Sequence, residues 1–244
     1  MKEDKEEYNW TKDILVDDII AVVNKKFGTD SPPPMLLVGH SLGGALAIHC
    51  ANKAISQKLL PSLQGIVVID VVEGTALDSL QHMPLIIDGR PKQFTHLWEC
   101  IHYCVSSGMI RNHLSARLSV PPMFRWDEQL RVFKWRTDIM KSKPFWEDWF
   151  VGMSDLFLTI PCAKLLMLAG PLFLCVYTDR LDKPLMIGQM QGKYELAVMG
   201  LGVGHAVHED TPHKVAEKLS TFIVRNKFEK MWELNKKLKL KTKT

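Results

Sequence analysis

The chain has 244 residues, 46% hydrophobic and 24% charged, enough to bury a sizeable core as a single α/β domain over residues 1–244. The formal charge of +4 is mild, and residues 236–243, which carry much of it, have no interleaved aromatics, so they read as a solvated end. No nucleic-acid partner is expected. No membrane association is expected either: the charged residues 1–7 lack an apolar signal core, and the longest apolar stretch, around 165–177, is broken by Gly170 and Pro171. The five cysteines, Cys50, Cys100, Cys104, Cys162 and Cys175, lack a framework spacing, which points to free thiols and a cytoplasmic or nuclear setting. Cys100 and Cys104 flank His102, but without a second ligand pair they read as buried helix thiols, not a zinc site.

In chain order, residues 13–27 place Ile14, Leu15, Ile19, Ile20, Val22, Val23 and Phe27 at helical spacing, and Gly28 ends the helix. Ser31-Pro32-Pro33-Pro34 is a stiff connector. Residues 35–38 (Met-Leu-Leu-Val) read as a short buried strand, and Gly39-His40-Ser41-Leu42-Gly43 then matches the G-x-S-x-G turn that places a nucleophile between a strand and a helix. The glycines let strand and helix approach closely, and the serine sits at a helix N-terminus that favours developing negative charge. The following helix is expected to reach about Lys53. Residues 63–72 form the next buried strand, with Asp70 near its C-terminal end, on the rim where open parallel sheets place their chemistry. From about 75 to 158 the periodicity is helical, and five of the seven tryptophans (Trp98, Trp126, Trp135, Trp146 and Trp149) fall there. This stretch is expected to be a helical cap over the strand ends, with most of the rings filling the cap's own core. Strands resume at 164–170 and 194–199, the loop 202–210 follows, and Pro212 opens an amphipathic helix through Val215, Leu219, Phe222 and Ile223. The alternation predicts an α/β fold with a mostly parallel sheet.

An unassisted serine hydroxyl is a poor nucleophile, so Ser41 needs a base within reach. His205, just after the last strand, is the best placed, with His208 as competitor. The acid that would orient the imidazole is Asp70, or else Asp179 or Asp182; spacing alone leaves these open. No set of residues has usable metal-ligand spacing, so neither a metal nor a cofactor is expected.

The order Ser…Asp…His is that of the α/β-hydrolases. Five blocks add a more specific resemblance: Gly39-His40-Ser41-Leu42-Gly43-Gly44-Ala45, residues 69–76 (Ile-Asp-Val-Val-Glu-Gly-Thr-Ala), residues 179–183 (Asp-Arg-Leu-Asp-Lys), residues 187–193 and residues 204–210. Together they resemble the protein phosphatase methylesterase family, over roughly residues 13–228. The resemblance implies a serine carboxylesterase that removes the methyl ester from the C-terminal leucine of the protein phosphatase 2A catalytic subunit, which would be the partner. It implies Ser41 as nucleophile, Asp70 as acid and His205 as base. A monomer is expected. A generic small-ester hydrolase and a non-catalytic phosphatase-binding module are the alternatives.

Enzymes with this turn build the oxyanion hole from two amides, one on the residue after the nucleophile, here Leu42, and one from a loop after an earlier strand. No earlier strand or loop of that kind is readable before Met35, so the chain is expected to be an N-terminally truncated form without the second donor. Strand 35–38 is then expected to be a bare sheet edge. Residues 171–178, an apolar insert before Asp179, depart from the family pattern.

Overall fold

The computed structural model describes residues 9–29, 32–170 and 181–228. The chain opens with α1 (Lys12–Phe27), β1 (Met35–His40), α2 (Leu42–Ser56) and β2 (Leu63–Ile69). An insertion follows: α3 (Glu73–Leu80), α4 (Met83–Asp88), β3 (Gln93–Phe94), α5 (Leu97–Ser106), α6 (His113–Ser119), β4 (Phe124–Asp127), β5 (Val132–Trp135), α7 (Trp146–Phe150) and α8 (Met153–Thr159). The chain then returns through β6 (Ala163–Leu168), α9 (Lys183–Met190), β7 (Glu195–Val198), α10 (Val207–Asp210) and α11 (Pro212–Arg225). The insert 171–178 and Asp179 lie outside the described residues.

The main sheet is all parallel, in the order β1-β2-β6-β7. Helices cover both faces, so β2 and β6 are near-continuous apolar runs. The period of two still sorts their side chains. Ile66 and Val68 of β2 and Leu166 and Leu168 of β6 join Ile48 of α2 and Phe157 of α8 in one core cluster. Val67, Ile69, Leu165 and Met167 face the other way, onto Val215 and Phe222 of α11. Among the described residues β1 is an edge strand, and Val38 on it is 50% exposed.

Helix α1 lies across α2, but its buried stripe differs from expectation. Val16 and Ile20 are its buried residues, packed with Leu46, Cys50 and Ala54, whereas Ile14, Val22 and Phe27 face out. The apolar residues of this segment span too wide an arc for all of them to meet one partner.

The insertion also corrects the expectation of a helical cap. It contains a three-stranded antiparallel sheet, order β3-β5-β4. Its hairpin turns through Asp127, whose carboxylate accepts from the amides of Gln129 (3.1 Å) and Leu130 (3.0 Å), and through Arg131 at φ 53°. The tryptophans divide as well. Trp135 packs on Phe124 in the cap core, with ring centroids 4.3 Å apart. Trp98 and Trp126 are exposed. Trp146 and Trp149 belong to the main core, because α7 and α8 fold back onto α2.

Candidate active site

Residues 39–44 fold as a tight strand–turn–helix. A Cβ on Gly39 would collide with the main chain of Gly43 and Gly44, so this position has no room for a side chain. Ser41 sits at the apex with φ 52° and ψ −122°, a region that a residue with a Cβ rarely occupies. It is held there because its amide donates to Ile69 O at 2.9 Å and its carbonyl accepts from Gly44 at 2.8 Å. Leu42 is the first residue of α2, so its N–H has no intrahelical acceptor and is one of the free amides at a helix N-terminus.

One residue past β2, Asp70 also has a positive φ, of 53°. Its amide donates to Met167 O at 2.8 Å, and its side chain is almost wholly buried. One carboxylate oxygen accepts from the Ala169 amide at 2.7 Å, and the other lies 2.9 Å from His205 Nδ1. With Nδ1 donating, Nε2 is left as the basic nitrogen. The structure thus brings Asp70 and His205 into contact. Among the described residues no hydrogen bond joins Ser41 Oγ to His205.

The other candidates sit elsewhere. Asp182 accepts from the Gly74 amide at 3.2 Å and the Ser154 hydroxyl at 2.8 Å, while Glu73 accepts from the amides of Gly152 (2.8 Å) and Ser154 (2.9 Å). These two acids tie the starts of α3 and α8 together, a structural task. The His208 ring contacts that of His40, with centroids 4.6 Å apart, and among the described residues no hydrogen bond or ion pair joins it to Asp70. Among the described residues no cluster of His, Cys, Asp or Glu has the arrangement of a metal site.

Two supports of this site had no readable role in the sequence. His40 Nε2 lies 2.8 Å from His205 O and donates to it, and its ring contacts that of His205 at 4.6 Å. Burial, and then the charge of neighbouring His205, push the His40 imidazole down to about 4. The second support comes from the cap. Asp210 accepts from the amides of Gly204 and Arg111, both at 2.7 Å, and Arg111 Nη1 donates to Gly202 O at 2.6 Å. Ser115 of α6 donates to Glu209 O at 2.7 Å, and Ala206 is buried within the cap core. A Cβ on Gly204 would press on both Arg111 and Asp210 at 3.0 Å. These partners are some 90 residues apart in sequence, and no local pattern signals them.

Residues 3–218 match the Alpha/beta hydrolase family. The chain belongs to that family, in accord with its parallel sheet, its serine turn and the Asp–His pair at the strand ends. Among curated proteins it is similar to protein phosphatase methylesterase 1 of Bos taurus, 40% identical over 255 residues that cover 88% of this chain and 64% of that protein. The Schizosaccharomyces pombe protein of the same name is 44% identical over 207 residues, covering 85% and 56%. The chain thus spans less than two thirds of the length of these relatives. Among solved structures, E-2-(acetamidomethylene)succinate hydrolase has a TM-score of 0.68 at 17% identity, covering 90% of this chain and 76% of the other. An esterase of M. tuberculosis has a TM-score of 0.64 at 17% identity, with 91% and 71% covered. At such identities the likeness concerns the fold.

Proposed function

We propose that this chain carries the catalytic centre of a carboxyl methylesterase that acts on the methylated C-terminal leucine of the protein phosphatase 2A catalytic subunit. The buried Asp70 bound to His205 Nδ1 at 2.9 Å, beside a strained Ser41, is the observation that carries the reading. Similarity to proteins named protein phosphatase methylesterase 1 supports the choice of substrate.

In this reading Ser41 Oγ attacks the ester carbonyl carbon as His205 Nε2 takes its proton. Asp70 holds the imidazole and stabilises the imidazolium. The Leu42 N–H donates to the oxyanion. Collapse breaks the bond to the methoxy oxygen, which leaves as methanol with the proton from His205. Water then attacks the acyl-serine, giving its proton to His205. Cleavage of the acyl–Oγ bond returns that proton to Ser41 and frees the leucine carboxylate.

A fluorophosphonate probe tests the centre directly. Rapid labelling of the purified chain, lost in both Ser41→Ala and His205→Ala, is expected. Methanol release from a methyl-esterified phosphatase tail peptide then tests the substrate, and turnover of simple esters alone would favour a generic esterase. A soluble, cooperatively melting chain that takes no label would overturn the catalytic reading and leave a phosphatase-binding module.

A further inference from the structure

The cap borders a recess, also lined by Trp10, that the proposed chemistry does not use. It lies between the end of α4, the strands β4 and β5 and the segment 136–141, and its volume is about 850 Å³. That is within the usual range for ligand-binding clefts. Its walls share no residue with the serine turn, Asp70 or the loop 202–210.

The charge on these walls is one-sided. Arg90, Lys92, Arg125, Lys134, Arg136 and Lys141 face two carboxylates, Asp88 and Asp138. Lys134 is paired with Asp127 at 2.8 Å, and Lys92 with Asp88 at 3.6 Å. Arg90, Arg125, Arg136 and Lys141 form no ion pair among the described residues, so four cations remain against Asp138.

Two of the guanidinium groups are also fixed in place. Arg136 donates from Nε to Pro122 O at 2.9 Å and from Nη2 to Phe124 O at 3.2 Å, leaving Nη1 uncommitted. Arg90 lies over the Trp135 ring, 5.3 Å from its centroid, and Trp135 is held by its own Nε1 donating to Pro91 O at 2.9 Å. Guanidinium groups ordered in advance lose less entropy when they bind a carboxylate fork.

We propose that this cleft docks an acidic peptide segment of a protein partner. Ile87, Ile139 and Met140 lie among the cations and give apolar contact to a peptide's side chains, which a run of phosphodiesters would not use. Arg90 and Phe124 already lie against the Trp135 ring, which disfavours base stacking on it. A concave recess also suits a chain segment better than a flat lipid surface.

The test uses the full chain and fluorescein-labelled hexaglutamate, followed by anisotropy. Arg125→Glu/Lys141→Glu alters two exposed residues with no side-chain hydrogen bond among the described residues. The expected result is binding that weakens with salt and drops about tenfold in this variant, while Lys25→Glu/Lys26→Glu on α1 matches the unaltered chain. Equal binding by both variants, no binding by the unaltered chain, or tighter binding of oligothymidylate or phosphatidylserine vesicles would overturn the proposal. None of these readouts depends on esterase activity, so the methylesterase reading stands or falls separately.

Discussion

His40 donates through Nε2 to the main-chain oxygen of His205 at 2.8 Å, so the residue just before Ser41 anchors the residue proposed as base. The contact joins two loops that leave different strands. Replacing His40 with Ala removes it, and a hydrogen bond of this kind contributes about 1 kcal/mol net. The expected outcome is a fall of roughly fivefold in kcat/KM for an activated ester, with fluorophosphonate labelling slowed to match. His40→Gln, which keeps a donor, should recover part of that loss.

His40 also carries a pH signature. Its folded pKa of about 4 lies below its ordinary 6.5, and burial depresses His49 in the same direction. In acid, the unfolded chain therefore binds protons that the folded chain resists. Stability is expected to decline as pH drops from about 6.5 toward 4. Thermal melts at neutral and mildly acidic pH check this, and His40→Gln should show a shallower decline.

Asp70→Asn keeps the shape of the side chain but removes the charge that stabilises an imidazolium. If the proposed mechanism holds, kcat should fall by about 10³–10⁴ while the chain stays folded. Asp182→Asn should leave kcat nearly unchanged and lower the melting temperature, because Asp182 binds Gly74 and Ser154 and not His205.

Asp210 braces the base loop through Gly204 and Arg111. Asp210→Ala strands the main-chain amides of Gly204 and Arg111, a cost of about 1.5–3 kcal/mol for hydrogen bonds to a charged group. The expected result is a lower melting temperature together with a loss of esterase turnover that exceeds any change in KM.

The serine turn was legible because its physics is local: apolar strand, obligatory glycines and helix start lie within ten residues. Asp70 and His205 were legible as strand-end residues, but choosing between Asp70 and Asp182 needed either the family resemblance or the contact itself. The hairpin of β4 and β5 went unread because its turn, Glu128-Gln129-Leu130-Arg131, has no Gly, Pro or Asn to announce it. Trp146 and Trp149 were misplaced because helical periodicity gives a buried face without saying which core covers it. Arg111 and Asp210 illustrate the same limit: each is an ordinary polar residue until the fold sets them together.

The buried thiols make the protein its own stopwatch. Cys50 lies in the helix that follows the serine, and Cys100 and Cys104 lie in the cap; burial pushes all three up to about 11. At neutral pH only about one such thiol in 10⁴ is ionised, and none reacts until the structure around it breathes. Pulsed alkylation read by mass spectrometry would therefore time two openings in one molecule. The cap cluster around Cys100 and Cys104, apart from the main sheet, is expected to open first, while Cys50, on α2 against α1, waits for the sheet domain to unfold.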